Sequence, residues 1–348
     1  MLQQTQVKTV MPYWQRWMRE LPTLQALARA RPEKILKLWE GLGYYTRARN
    51  LQKAAQLIVA KHQGCFPHEY DAVLALPGIG RYTAGAVCSI AFNQPTPILD
   101  GNVVRVLTRI FGITENPRAQ TTNHKLWEMA EALVLTAAHD TQYVSRNMFP
   151  TSRITHSPRC RAVAAGHASS CSHLNQSLME LGALICAPKQ PKCDQCPVLK
   201  HCAAHRTGKV EEIPNLSQRV RSTARRFVAF VVEKRGRLLV GQRPSGVVNA
   251  HLWEFPNFEL VDGFDLNRAA QNALGMAPTS LQPVCIVKHS ITRYRITLEV
   301  YRAELKLPTA KTRQPGRWLT RAELKPLAFT SAHRKIVEQL SRRASQPK

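Results

Sequence analysis

Acidic side chains are scarce in this chain: 23 Asp and Glu face 49 Lys and Arg, leaving a formal net charge of +26 and a pI near 10.2. An imbalance of that size goes beyond what solubility requires and points to a polyanionic partner. Apolar runs approaching the roughly 18 residues of a membrane span are also lacking, so no membrane partner is expected. An evenly spread set of cysteines is missing too. Of nine, four crowd one short segment, Cys186, Cys193, Cys196 and Cys202, which favours a metal site over a disulfide framework. The opening residues lack a hydrophobic leader, because Met1 runs into the polar Gln3, Gln4 and Gln6. A reducing intracellular compartment is therefore expected, cytoplasmic and nucleoid-associated in a bacterial cell.

Apolar residues are plentiful, 44% against 21% charged over 348 residues, which suits a globular chain of two domains. From residue 5 to about 210 they recur three and four apart, as in Ile35, Leu38 and Trp39 and again in Leu51, Ala54, Ala55 and Ile58; this spacing predicts a mainly α-helical region. Pro32 ahead of Glu33 suits a first helical turn, and Gly41, Gly43, Gly78 and Gly80 punctuate the connections. Between about 138 and 173 the periodicity fails and polar residues dominate, so this stretch reads as an insert that the fold tolerates losing. The helical region is set at 1–205, a basic linker at 206–226 and a second domain at 227–342. That second domain reads as α+β: residues 227–232 and 238–240 flank a Lys234-Arg235-Gly236 turn and predict a β-hairpin, and residues 291–301 predict another long strand.

Three motifs carry chemistry. Cys186-x6-Cys193-x2-Cys196-x5-Cys202, interspersed with Lys189, Lys192 and Lys200, supplies four thiolates suited to a four-iron four-sulfur cluster. A four-cysteine zinc site usually shows two close pairs, and this loop has one. Leu76-Pro77-Gly78-Ile79-Gly80-Arg81-Tyr82 places two glycines where a tight turn aims backbone N–H groups at a phosphate, at the start of a following helix. By itself such a turn also suits any junction of two helices. Leu99-Asp100-Gly101-Asn102-Val103 puts a carboxylate just ahead of another helix, where it would equally serve as an N-cap.

Taken in order, Met1-Leu2-Gln3-Gln4-Thr5-Gln6-Val7, Gly41-Leu42-Gly43-Tyr44-Tyr45, the hairpin, the Asp100 motif and the cysteine loop resemble the adenine-specific DNA glycosylases of the MutY type. That family lies within the helix-hairpin-helix superfamily of endonuclease III. The resemblance covers nearly the whole chain. It implies a monomer that hydrolyses the N-glycosidic bond of adenine mispaired with 8-oxoguanine or guanine in double-stranded DNA, carrying one structural 4Fe-4S cluster on Cys186, Cys193, Cys196 and Cys202. Catalysis falls to Asp100 and its neighbour Asn102. Tyr82 occupies the place where bifunctional relatives carry Lys; a phenol forms no Schiff base, so the reaction is expected to stop at hydrolysis. Gln4 and Tyr44 would enter the duplex with Gln3 near the lesion, while Gly78, Gly80 and Arg81 grip the backbone.

Residues 239–244, 251–256, 289–293 and 327–329 resemble the MutT-like (Nudix) recognition module of the same family. The paired glutamates that hold Mg²⁺ in a Nudix hydrolase are missing after Glu259, so the module is expected to read 8-oxoguanine, through His289, Ser290 and Thr292. Many members place Phe-Ser-His where this chain has Ile291-Thr292-Arg293. The family's general-acid Glu lies two residues before the Met-Leu-Gln-Gln motif, at which this sequence starts. A general acid is worth about 10²–10⁴ in rate, so the chain as written is expected to be weakly active or inactive. Glu20, Glu33 and Glu40 read as solvated helix residues. An endonuclease III-like glycosylase/AP lyase is the competing enzyme, disfavoured by Tyr82 and the second domain; a catalytically impaired DNA-binding protein is the competing class.

Overall fold

The computed structural model describes residues 1–3, 5–144, 170–216, 222–261, 265–291, 293–306 and 316–344. Packing divides the chain into one unit of Met1–Gln56 with Val220–Lys348 and another of Leu57–Arg219. This partition differs from the linear one at 205 and 227, which follows chain order. None of the helices among the described residues is long and apolar enough to cross a membrane.

The chain opens with α1 (Val7–Glu20), which buries Val10 and Trp17, and α2 (Leu24–Arg29), whose N-cap Thr23 accepts a bond from the Ala26 amide. In α3 (Pro32–Trp39) a proline at the first turn starts a helix that buries Ile35, Leu36, Leu38 and Trp39, as the spacing predicts. Trp17 meets Trp39 edge to face at 5.6 Å. Next comes α4 (Thr46–Lys61).

In the second unit, α5 (Tyr70–Leu74), α6 (Arg81–Phe92), α7 (Gly101–Phe111) and α8 (Gln120–Val144) lead to α9 (Ser170–Glu180) and a π-helical turn at Leu181–Ile185. Two 3₁₀ turns, Cys193–Gln195 and Leu199–His201, then precede α10 (Ala203–Arg206). Ile98, Leu99, Val103, Leu107, Ile113, Leu126, Trp127 and Ala130 form the core. Gly85 of α6 lets the strand-like segment before Asp100 pass against the helix: a Cβ there would lie 2.1 Å from the Pro97 carbonyl oxygen.

The expected insert at 138–173 is narrower than the sequence suggested, since α8 continues to Val144 and α9 begins at Ser170. Residues 145–169, the bulk of that stretch, lie outside the described residues. The start of α9 buries polar groups in place of an apolar stripe, which is why the periodicity fails there. Cys171 and Ser172 are buried, Ser172 bonds Ile90 O and Asn93 Oδ1, and Asn175 donates to Ser89 Oγ and Thr96 O.

The remaining chain forms β1 (Thr223–Val231), β2 (Glu233–Lys234), β3 (Arg237–Gln242), β4 (Trp253–Glu254), β5 (Asn257–Leu260), α11 (Leu266–Leu274), β6 (Ser280–Ile291), β7 (Tyr294–Glu304), β8 (Gly316–Thr320), α12 (Arg321–Leu324) and α13 (Ser331–Ala344). One sheet has the order β5-β1-β7-β6, with β1 and β7 parallel; a second joins β2, β3 and β4, with β8 on β3. The expected hairpin of 227–232 with 238–240 forms only at its turn end, where Leu239 N donates to Val232 O and Glu233 and Lys234 pair with β3, whereas β1 pairs with β5 and β7. Both segments are buried on both faces, so each belongs to the interior of its own sheet. The long strand expected over 291–301 is present from Tyr294 as β7, while Ile291 ends β6 and pairs with Tyr294.

Within the first unit, Leu252 and Ala328 enter the core formed by Trp17, Leu36, Trp39 and Leu42. Glu40, expected to be solvated, is 12% exposed at its side chain and bridges the two halves of this unit. Its carboxylate accepts bonds from the Phe329 amide at 2.8 Å and from Lys37 Nζ at 2.6 Å, and Lys37 also donates to Leu327 O. Removing the carboxylate strands a backbone amide and a cation. Glu40→Ala should therefore cost about 2–3 kcal/mol, read as a lower urea midpoint by tryptophan fluorescence of the whole chain. Glu40→Gln, which keeps an acceptor for Phe329, should lose less.

Candidate active site

Helix α7 begins where Asp100, in extended conformation, accepts the Asn102 and Val103 amides on Oδ1 at 2.9 and 2.8 Å. The Asn102 side chain adds a third bond, to Oδ2 at 3.1 Å. Asp100 is thus an N-cap, its carboxylate held by three donors at the start of a helix. Tyr82 lies one residue inside α6, half-buried, with its hydroxyl donating to Met179 Sδ at 3.4 Å. Burial first, and the charge of Asp100 second, push its phenol up. Asp100, Asn102 and Tyr82 are therefore brought together.

Asn102 is held in turn by Arg105. One Arg105 nitrogen donates to Asn102 Oδ1 at 2.8 Å and to Gly182 O, while Nε donates to Cys186 O at 2.7 Å. Gly182 permits this approach, because a Cβ there would lie 2.7 Å from Asn102 Cβ and 2.9 Å from its carbonyl oxygen. One turn on, the buried Arg109 donates to Cys186 Sγ at 3.3 Å and to Ala187 O at 2.8 Å, and its own carbonyl accepts from Cys202 Sγ. Burial pushes the Cys193 thiol up, with the other three cysteines acting in the same direction, so the four side chains feel one another. Even so, among the described residues no group of three or more His, Cys, Asp or Glu is gathered tightly enough for a single metal ion. A four-iron cluster spaces its thiolates more widely than one ion does, and the donor set of four free thiols with two guanidiniums beside them suits an anionic cluster.

The hairpin has Gly78 at φ +80° and Gly80, which offers no side-chain cap, as the N-cap of α6. Arg81 stacks on Trp127 at 4.0 Å. In the first unit Gln3 and Tyr44 are exposed, Tyr44 at 53%; Gln4 lies outside the described residues. Neighbours on β6, His289 and Ser290 point to opposite faces: Ser290 is exposed, while His289 is half-buried with Nδ1 lacking a partner among the described residues. They do not converge, and Thr292 lies outside the described residues. Sequence reasoning missed Arg105 and Arg109. Their signal was two cations four apart on an otherwise apolar helix, the arrangement in which a buried face must find acceptors.

The pattern of the HhH-GPD superfamily base excision DNA repair proteins matches residues 1–132, and that of the NUDIX domain matches 227–339. The adenine DNA glycosylase of Rattus norvegicus is 34% identical over 388 residues, covering 97% of this chain and 69% of that protein. Its counterpart in Homo sapiens is 32% identical, with 97% and 66% covered. That of Buchnera aphidicola subsp. Acyrthosiphon pisum is 37% identical over 214 residues, 62% of this chain and 52% of that one. The chain spans about two thirds of the mammalian proteins' length. With both patterns in order and this identity running through nearly all of its residues, the chain belongs to the adenine DNA glycosylase family.

Proposed function

We propose that this protein removes adenine paired with 8-oxoguanine or guanine in duplex DNA, acting as a monomer inside the cell and stopping at the abasic site. The observation that carries this reading is the Asp100 carboxylate, held by three donors beside a tyrosine. A stacked adenine is out of reach, so the base is extruded at a cost of a few kcal/mol, with Gln4 and Tyr44 filling the space and Gln3 near the lesion. As the glycosidic bond lengthens, positive charge grows on the sugar, and Asp100 stabilises it electrostatically. Asn102 keeps the carboxylate aimed. Tyr82 offers no amine, so the sugar is not captured as an imine. Gly78, Gly80 and Arg81 bind the phosphate backbone, and the C-terminal module reads the opposing 8-oxoguanine at the end of β6, His289 from one face and Ser290 from the other, together with Thr292. In chain order, 1–205 is the glycosylase region, 206–226 the linker and 227–342 the recognition domain.

Cys186, Cys193, Cys196 and Cys202 would hold one 4Fe-4S cluster, which when bound stiffens a basic loop and takes no part in bond breaking. Arg105 and Arg109 anchor that loop to α7.

Single-turnover assays on an adenine:8-oxoguanine duplex test the reading. Asp100→Asn should lower base release by about 10²–10³, and Tyr82→Lys should yield a borohydride-trapped adduct absent from the unmodified protein. Equal rates for Asp100→Asn, or an adduct with Tyr82 in place, would overturn it.

The purified protein should be brown with about four iron atoms per chain, and Cys193→Ser should lose that absorption. Zinc without iron would refute the cluster.

A further inference from the structure

Arg47, in the first turn of α4, reaches two chain segments that lie 46 and 5 positions away. Toward the N-terminus it donates to Met1 O at 3.0 Å, to Gln3 O, and with both terminal nitrogens to Thr5 Oγ1 at 3.3 Å. Toward the glycine turn it donates to Leu42 O at 3.1 Å and Gly43 O at 3.3 Å. Its guanidinium also lies over the rings of Trp39 and Tyr44, at 5.3 and 5.7 Å.

The segment it grips is unusual. Gly41, Gly43 and Tyr44 all have positive φ, +106°, +69° and +46°, and a tyrosine in the left-handed region needs surroundings that impose it. Tyr13 fills the space over Gly41, where a Cβ would fall 2.3 Å from its hydroxyl. Trp39 Nε1 donates to Gly43 O at 3.0 Å. The Tyr45 phenol, kept protonated by burial that pushes it up to about 12, accepts the Gly41 amide. These contacts fix the turn, and Arg47 also holds the segment of Gln3 and Thr5.

We propose that Arg47 is a positioning residue that locks the Gln3 segment and the Tyr44 turn into one preassembled wedge, so that both enter the duplex together. The proposal rests on the DNA glycosylase reading above. A planar fork with two usable edges and a stacking face is required, which lysine lacks.

The test uses a duplex with a non-hydrolysable adenine nucleotide opposite 8-oxoguanine and 2-aminopurine as its 3′ neighbour, whose fluorescence rises on unstacking. With saturating full-length protein, Arg47→Gln should reduce the rise about tenfold, and Arg47→Lys should recover less than half of it. Tyr44→Ala should show a similar loss, and the double variant Arg47→Gln/Tyr44→Ala should lose no more than either alone, because Arg47 acts through the tyrosine's placement. Thr5→Val, which removes one acceptor and leaves the arginine in place, should give a partial loss and keeps the proposal testable if Arg47→Gln fails to fold. A full rise with Arg47→Gln, multiplicative losses in the double variant, or no effect of Thr5→Val would overturn the proposal. Absence of any rise with the unmodified protein would instead overturn the glycosylase reading, and this proposal with it.

Discussion

Gly182 has no room for a side chain, and the placement of α7 in the second unit depends on that. Because the π-helical turn passes directly under Asn102, the Gly182 carbonyl comes within reach of Arg105, whose other nitrogen takes Cys186 O. A single guanidinium thereby sets the height of α7 against the cysteine loop. Asp100 inherits that position through Asn102. Desolvation lowers the Arg105 pKa, while Cys186 and Asp100 act against the shift; a cation buried among carbonyls is tolerated when its donors are satisfied this fully. The route from Cys186 to the Asp100 carboxylate is a chain of direct hydrogen bonds through Arg105 and Asn102 of α7.

The first unit solves a different problem, which is how to keep a strained surface turn ready for a ligand. Tyr44 is half exposed and left-handed. Behind it Glu40 ties the preceding helix to the Phe329 amide, and α3 buries its apolar face with Leu252 and Ala328. The β-rich module is thus packed on the helices that carry the turn, within the same compact unit as Tyr44.

Much of this was legible in the sequence, for reasons that can be named. Thiolates need fixed spacing, a tight turn needs glycine, and an N-cap carboxylate needs a helix after it; the cysteine loop, the Gly78 hairpin and Asp100 were therefore visible as short patterns. The helices of 7–61 followed from apolar spacing alone. Features that depend on long-range packing were hidden. The start of α9 buries Ser172 and Asn175 in hydrogen bonds with α6 and the segment after it, so polarity there imitated a loop. Break points between 231 and 237, and between 291 and 294, follow from sheet partners that adjacent residues cannot reveal. Glu40 looked solvated because the backbone donor to its carboxylate, the Phe329 amide, lies 289 positions away.

Close packing at Gly182 holds the start of α7, and with it Asp100, in place. Amide hydrogen exchange at Asn102 and Val103 in Gly182→Ala addresses it most directly, since those two amides are the ones that bind the carboxylate. Overpacking against a backbone that cannot yield should speed their exchange about tenfold or more, while amides in the β-rich module stay unchanged. Protection at Asn102 and Val103 equal to that of the unmodified protein would contradict the account.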